Sequence, residues 1–405
     1  MIPADALERL ERLLEETRDV VAERVTGPDV PAWCQRRGWA PFLLGLDDAT
    51  LARSESEGLA DVLGDLSGAP DDLVALAARV REATSWVPVA APSASVERGP
   101  HKGVSARKLG QVSALAELCG ARPRRYGRIV DVGAGRGYLT RELARVLSVS
   151  ALGLERSAER VESARALTQP EEATEFVVCE AGPEGLTFRA GDLAVGLHAC
   201  GALGDSLVRS AARDRVDLLL VNCCLQHVPG DERRPLSEWG RRVGLTLSRD
   251  VLGLTNQGTG RRVTGTTPGI MATRTTRHAL RLLLRARGVE TAHGEEMRGL
   301  NLRQARKGLA HVSALALAAR DLPLADGAEL TEAEQRAQRE FARVRRLSLP
   351  RGMLGRPLEL AVVLDRACAL EEAGHDASVR TVFHRAISPR NLGVVAWAQA
   401  PMPRG

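Results

Sequence analysis

The chain has 405 residues, of which 44% are hydrophobic and 26% charged, and its formal net charge is +5. These values are those of an ordinary globular protein, and the length allows two or three domains. Its apolar runs are far shorter than the ~20 residues of a membrane-spanning helix, and the N-terminus shows no secretory signal. Composition therefore argues against a membrane protein and predicts a cytoplasmic one.

Cysteine usage also points to a reducing compartment. The seven cysteines are an odd number at irregular spacings, and no Cys-x-x-Cys pair occurs. Neither a disulfide framework nor a zinc site is indicated by this pattern. The sequence thus predicts reduced thiols and no metal site.

Helical periodicity dominates the start of the chain. Apolar residues recur at three- and four-residue intervals over 4–26, and two further helices are predicted around 55–66 and 70–84. We expect the aromatic residues between them to form the core of a small helical cap: Trp33, Trp39 and Phe42. Since residues 87–100 are rich in Pro, Ala and Ser, they are typical of a linker. The prediction is an N-terminal helical region over 1–95.

From residue 128, short apolar strands alternate with longer helices, which predicts a parallel sheet with right-handed crossovers. The predicted strands span 129–132, 151–154, 175–179, 194–198 and 218–222. After residue 224 the pattern changes to Arg-rich helices, interrupted by turns such as 258–267. It resumes with a helix over 358–373 and two strands over 378–383 and 392–397.

These elements predict an α/β, Rossmann-like domain with a seven-stranded, mostly parallel sheet. The first part of this domain spans 101–240, and 356–400 completes it. Between them we predict an Arg-rich helical insertion over 241–355.

A predicted strand, a glycine-rich loop and a helix start follow one another over 129–140. Asp131 stands just before the loop, which reads Gly133-Ala134-Gly135-Arg136-Gly137. Glycines let a backbone turn tightly and approach a ligand. A carboxylate here would repel a pyrophosphate, which binds to backbone N–H groups at the positive end of a helix dipole. It suits the cationic amino-acid part of S-adenosylmethionine.

The next strand supplies a second acid. Glu155 stands about 20 residues after the loop, where a carboxylate accepts hydrogen bonds from ribose hydroxyls. The adenine contact is expected near Glu180 and Ala181, with Asp192 as a rival. Together the motifs predict an S-adenosylmethionine site; a nucleotide-binding or purely structural α/β domain is the alternative. The predicted residues of the S-adenosylmethionine site are Asp131, Gly133, Ala134, Gly135, Gly137, Glu155 and Glu180.

Two strand ends are candidates for the reaction centre, because the carboxyl ends of strands in open α/β sheets face the ligand crevice. His198 could act there as a general base. Cys223 or Cys224 could instead attack a pyrimidine ring as a thiolate. Packing as small buried hydrophobes is the alternative for these cysteines and for Cys200, and His227 is interpreted as a loop residue. The predicted catalytic residues are His198, Cys200, Cys223 and Lys108.

Positive charge is concentrated between residues 241 and 285. The stretch holds one acid, Asp250, and nine arginines: Arg241, Arg242, Arg249, Arg261, Arg262, Arg274, Arg277, Arg281 and Arg285. Guanidinium groups pair with phosphates in two hydrogen bonds and supply sequence-independent affinity for nucleic acid. We therefore predict that this segment binds RNA; a solvated arginine face is the alternative.

Several segments, in the same order along the chain, resemble those of one family. They are Val104-Ser105-Ala106-Arg107-Lys108, Leu197-His198-Ala199-Cys200-Gly201, Cys223-Cys224, Pro235-Leu236-Ser237, Val363-Leu364-Asp365-Arg366 and Ile387-Ser388-Pro389-Arg390-Asn391. From about Lys102 to Ala396 the chain resembles the methyltransferase-like family that includes the ribosomal RNA adenine dimethylase domain-containing protein. It is more distantly similar to the tRNA 2′-O-methyltransferases that share a CC-H-H segment.

The resemblance implies a class I methyltransferase that uses S-adenosylmethionine, and with the arginines it predicts an RNA substrate, tRNA or rRNA. For a ribose hydroxyl acceptor, His198 or Lys108 would accept or position the proton. A protein or small-molecule methyltransferase is the first alternative. A non-catalytic S-adenosylmethionine-binding scaffold is the second, favoured by Ala202 and Leu225, which depart from the family's segments.

Overall fold

The computed structural model describes residues 2–89, 106–120, 126–169, 172–181, 185–256, 268–291 and 294–399. The chain forms two compact units. The sheet unit comprises Met1–Thr17, Arg79–Arg261 and Leu354–Gly405, and the helical unit comprises Arg18–Ala78 and Arg262–Met353. These boundaries differ from the predicted ones: most of 1–95 and most of 241–355 lie in one unit. Helical periodicity identifies an apolar face but not the segment that covers it.

The sheet unit contains the predicted seven-stranded sheet. Its strands are β1 (Arg128–Val132), β2 (Ser150–Glu155), β3 (Thr174–Val178), β4 (Asp192–Ala199), β5 (Asp217–Asn222), β6 (His375–Thr381) and β7 (Leu392–Ala398). Their order is β3-β2-β1-β4-β5-β7-β6. The first five strands pair in parallel, and β7 is antiparallel to both of its neighbours. The prediction of a Rossmann-like, mostly parallel sheet is confirmed.

Helices cover the sheet and explain its apolar strands. Every residue of β5 is buried, as expected for a central strand with helices on both faces. Ile129, Val195 and Leu219 share a core with the helices that precede and follow β1. The helices of this unit are Ala4–Glu16, Ala106–Gly120, Tyr138–Leu147, Ala158–Ala166, Gly201–Asp214, Glu238–Arg242, Arg249–Leu254 and Gly355–Glu372. A two-stranded ribbon pairs Glu232–Arg233 with Leu247–Ser248.

The helical unit has a separate core. Trp33 and Trp39 are fully buried, as predicted, with ring centroids 6.2 Å apart, whereas Phe42 is half-buried. A second cluster joins Leu280 and Leu284 to Val312 and Leu317. The helices are Arg18–Ala22, Ala32–Arg36, Ala40–Gly45, Asp48–Glu57, Leu59–Val62, Pro268–Ala286, Leu302–Ala305, Leu309–Ala318, Gly327–Leu347 and Leu349–Met353, with 3₁₀ turns Leu63–Asp65 and Glu295–Met297. Helix Asp71–Ser85 contributes to both units.

None of the helices that the structure describes combines the length and the hydropathy needed to cross a membrane.

Candidate cofactor and acceptor site

The glycine loop joins β1 to helix Tyr138–Leu147 in a backbone conformation that side chains disfavour. Gly133, Gly135 and Gly137 have φ values of +78°, +60° and +72°, in the left-handed region that glycine enters without steric cost. A Cβ on Gly137 would overlap the Phe176 ring. The loop is fixed to β2, because the N–H groups of Gly133 and Ala134 both donate to the Leu154 carbonyl, at 2.8 and 3.0 Å.

Asp131 lies beneath this loop with only 2% of its surface exposed. Its carboxylate accepts a hydrogen bond from the Thr140 hydroxyl at 2.7 Å. Burial raises the pKa of Asp131 to about 6, opposed by the Thr140 hydrogen bond and by the charge of Lys108. The group is therefore mainly a carboxylate at neutral pH. A buried carboxylate beside a glycine loop suits an ammonium ligand.

Glu155 ends β2 and is also buried. One carboxylate oxygen accepts from the Gly135 N–H at 3.0 Å, and the other accepts from the Ser157 N–H at 3.1 Å. Because each carboxylate oxygen has two acceptor sites, both retain capacity for a further donor. Glu155 thus orders the loop and has capacity left for ribose hydroxyls.

If Asp131 pairs with the cofactor as predicted, its burial is expected to make cofactor affinity depend on pH. Below about pH 6 this carboxyl becomes protonated, and a neutral carboxyl cannot pair with the ammonium group of S-adenosylmethionine. We expect the dissociation constant to rise roughly tenfold between pH 7 and pH 5, following the linkage of one proton to binding. Isothermal titration calorimetry would measure it. Asp131→Asn should bind weakly with no such slope; a wild-type affinity independent of pH would contradict this assignment.

The adenine contact remains a prediction. Glu180 is exposed and lies two residues after β3. The rival residue, Asp192, begins β4 at the amino end of the strand, away from the loop. Its carboxylate binds Arg128 at 2.7 Å and the Arg189 N–H at 2.8 Å, so it has a structural role.

The carboxyl ends of β4 and β5 bring together the predicted thiols. His198 lies near the end of β4, and its side chain is outside what the structure describes. Cys200 directly precedes helix Gly201–Asp214, and Cys223 and Cys224 follow β5 with their sulfurs 3.5 Å apart. Hydrogen bonds with Cys223 and Cys224 raise the pKa of Cys200. Hydrogen bonds with Cys200 and Cys223 lower the pKa of Cys224.

Arg390 completes this cluster, although no motif identified it beyond its place in one resembling segment. Its Nη1 donates to the sulfurs of Cys224 and Cys223 at 2.6 and 3.1 Å. Its Nη2 donates to Asn256 Oδ1 at 2.9 Å, and Asn256 in turn donates to Gln226 Oε1 at 2.7 Å. All five side chains are at least partly buried.

Lys108, the other predicted catalytic residue, lies at the cofactor loop. Its ammonium is 5.4 Å from the centroid of the Tyr138 ring. Burial lowers the pKa of Lys108, opposed by the charge of Asp131. The structure therefore places Lys108 with Asp131 and Tyr138.

The Arg-rich stretch does not form a single unit. Arg241, Arg242 and Arg249 belong to the sheet unit, and the arginines from 274 onward to the helical unit. Arg277 and Arg281 bind the buried Glu296 at 2.6 and 3.3 Å. Arg249 donates to the Val228 carbonyl. Arg261 and Arg262 lie outside the described residues.

Comparison with known proteins identifies the domain. Residues 107–230 match the model of a family described as "Methyltransferase domain". Similar solved structures include YcgJ from Bacillus subtilis, at 25% identity, with 28% of this chain and 50% of that chain covered and a TM-score of 0.24. An S-adenosylmethionine-dependent methyltransferase from Mesorhizobium loti matches at 24% identity, with 27% of this chain and 54% of that chain covered and a TM-score of 0.22.

A third similar structure is the plantazolicin methyltransferase BpumL, solved with S-adenosylhomocysteine, at 13% identity, with 43% and 60% covered and a TM-score of 0.23. The chain spans about half the length of the first two structures. The family match confirms the predicted class of enzyme for residues 107–230, which form a methyltransferase domain.

Proposed function

We propose that this chain, with its methyltransferase domain over residues 107–230, is a cytoplasmic enzyme that methylates RNA, tRNA or rRNA. S-adenosylmethionine supplies the methyl group when bound. Asp131 would pair with its ammonium group, and Glu155 would accept hydrogen bonds from its ribose hydroxyls. The resemblance to the family that includes the ribosomal RNA adenine dimethylase domain-containing protein, and to tRNA 2′-O-methyltransferases, supports this acceptor class.

The observation that supports RNA as the methyl acceptor is a group of positively charged side chains around the glycine loop. We call them the crevice cations: Lys108, Arg136, Arg156 and Arg160. The three arginines are exposed. Arg136 lies within the loop, and Arg156 directly follows β2. The charges of Arg136 and Arg160 both act on Lys108, and Arg160 Nη1 lies 3.8 Å from a carboxylate oxygen of Glu155. Phosphates of an RNA strand would neutralise such a group and release counterions.

For a ribose hydroxyl acceptor, a proton must leave the oxygen that receives the methyl group. His198 is the residue that we propose to accept it, because it lies near the carboxyl end of β4, and an imidazole has a suitable pKa for a general base. Lys108, beside the loop, would position the cofactor or a phosphate. Replacing His198 with alanine should lower methyl transfer without changing cofactor affinity.

The crevice cations give a test with a matched control. We expect Arg156→Ala/Arg160→Ala to weaken RNA binding and to make the plot of log affinity against log salt shallower by about 2, roughly one unit for each lost phosphate contact. Arg145→Ala/Arg209→Ala, two exposed arginines about two turns inside their helices, should keep the wild-type slope. Fluorescence anisotropy with total tRNA would measure both. Equal slopes in the two pairs would refute RNA binding at the crevice.

Transfer itself is tested with tritiated S-adenosylmethionine in extract from a strain that lacks this gene. Label that ribonuclease releases supports the RNA proposal. Label that resists ribonuclease and is lost to protease, or occurs only in small molecules, supports the second candidate, a protein or small-molecule methyltransferase. The pairing of Arg277 and Arg281 with Glu296 favours that candidate, because it occupies two of the arginines predicted to bind RNA. Binding without any transfer would indicate a scaffold.

A further inference from the structure

Three potential metal ligands meet where β4 and β5 end. Cys200 and Cys224 each offer a sulfur, and His227 offers a ring nitrogen. All three atoms lie within 4.8 Å of one another. The two loops that carry them are more than 20 residues apart in the sequence, so only the parallel pairing of β4 and β5 brings them together.

We propose that Cys200, Cys224 and His227 bind a zinc ion. Zinc takes thiolate and imidazole ligands in tetrahedral geometry, with Zn–S near 2.3 Å and Zn–N near 2.0–2.1 Å. In such a tetrahedron the ligand atoms are about 3.5–3.8 Å apart, so atoms that now lie within 4.8 Å of one another need to approach by about 1.3 Å at most. Two thiolates and an imidazole favour zinc over magnesium or calcium, which prefer oxygen ligands.

The backbone holds these ligands close together. The Ala202 N–H donates to the His227 carbonyl at 2.9 Å, and the His227 N–H donates to the Cys224 carbonyl at 3.1 Å. Gly201, between Cys200 and Ala202, has φ +46° and lies so close to His227 that a Cβ would overlap the His227 carbonyl. Arg366 donates to the Gly201 carbonyl at 2.8 Å. The loops are thus arranged before any ion enters.

Arg390 provides an outer-shell contact. Its guanidinium donates to Cys224 Sγ at 2.6 Å, and Asn256 fixes its orientation. Hydrogen-bond donors of this kind orient metal ligands and tune the bound metal. Because Zn²⁺ and two thiolates are together neutral, the guanidinium faces no net positive charge. Zinc binds each of the two sulfurs as a thiolate.

Three protein ligands leave one coordination position open, as in catalytic zinc sites. His227 is exposed, so an ion has a route from solvent. Cys223 is the nearest additional sulfur, 3.5 Å from that of Cys224, but it is outside the set of mutually close ligand atoms. The zinc proposal does not depend on the proposed RNA acceptor, because zinc content is measured without any methyl transfer.

The full chain, incubated with zinc and desalted, should hold about one zinc ion per molecule by mass spectrometry of the metal. Cys224→Ser and His227→Ala should each hold less than about a tenth as much. Cys223→Ser, the matched control, should keep the wild-type content. Retained binding of S-adenosylhomocysteine would show that each variant is folded. No zinc in the wild-type chain, or equal loss in Cys223→Ser and Cys224→Ser, would overturn the proposal.

Cobalt gives a readout that needs no variant. Co²⁺ in the wild-type chain should show the visible bands of a tetrahedral ion and the near-ultraviolet charge-transfer bands of thiolate ligands. Octahedral bands without charge transfer would mean that the thiols do not bind the ion and would contradict the site.

Discussion

Replacing Glu155 with alanine is expected to weaken binding of S-adenosylmethionine by about 100-fold or more. Hydrogen bonds to a charged group contribute about 1.5–3 kcal/mol each, and two ribose hydroxyls would lose this acceptor. The same carboxylate holds the Gly135 N–H at 3.0 Å, so its loss also loosens the loop that approaches the ligand. Isothermal titration calorimetry with S-adenosylmethionine measures the change.

Two variants control this result. Glu155→Gln keeps the shape and one acceptor oxygen, and it should fall between the wild type and Glu155→Ala. Glu159→Ala removes an exposed acid from the first turn of the following helix, and it should bind the cofactor normally. Wild-type affinity in Glu155→Ala would show that the cofactor does not use the end of β2.

Replacing Arg366 with methionine is expected to lower the free energy of unfolding by about 3–5 kcal/mol, the usual effect of breaking a buried ion pair by removing one partner. Arg366 is fully buried and donates to Asp205 at 2.8 Å, to the Gly201 carbonyl and to Asn222. Arg233 binds Asp205 and Asp365 at 2.9 and 2.7 Å, which makes a neutral network of two arginines and two aspartates. Without Arg366, one buried negative charge is uncompensated.

Calorimetric unfolding measures the loss, and hydrogen exchange of β4 and β5 localises it to the sheet unit. Asp205→Asn/Arg366→Met restores neutrality, so its loss should be smaller than the sum of the losses in the two single variants. The control is Arg145→Ala, which removes an exposed ion pair with Glu142, and such pairs are worth about 1 kcal/mol or less. Strictly additive losses would mean that the network acts by packing alone.

Much of the fold could be predicted from periodicity. The apolar runs located all seven strands of the sheet. The β6 strand begins at His375. The prediction placed its start three residues later because the first two residues are polar. His375 nevertheless becomes buried through a hydrogen bond with the Val216 carbonyl. A single polar residue gives no sign in the sequence that such a partner exists.

The candidate cofactor residues could be grouped from the sequence, because Asp131, the glycines and Glu155 lie within about 25 residues of one another, on two consecutive strands and the loop after the first. The thiol cluster could not, because Arg390 reaches Cys223 and Cys224 from a turn more than 160 residues further along the chain. Two of the resembling segments also contact each other over a long sequence distance: the N–H groups of Leu236 and Ser237 donate to Asp365.

The pairing of residues 18–78 with 262–353 in one helical unit was equally hidden from the sequence. Arg345, for example, binds Glu55 at 2.7 Å across 290 positions of sequence. Periodicity describes each helix alone, and nothing in a single sequence states which apolar faces meet.

The most direct test of the account is a crystal structure of the chain with S-adenosylhomocysteine, which carries the same ammonium and ribose groups as the cofactor. We predict that its ribose hydroxyls lie within hydrogen-bond distance of the Glu155 carboxylate and its ammonium group faces Asp131, above the loop of Gly133, Gly135 and Gly137. The ligand in another part of the molecule, or no ligand density at saturating concentration, would contradict the assignment of this crevice as the cofactor site.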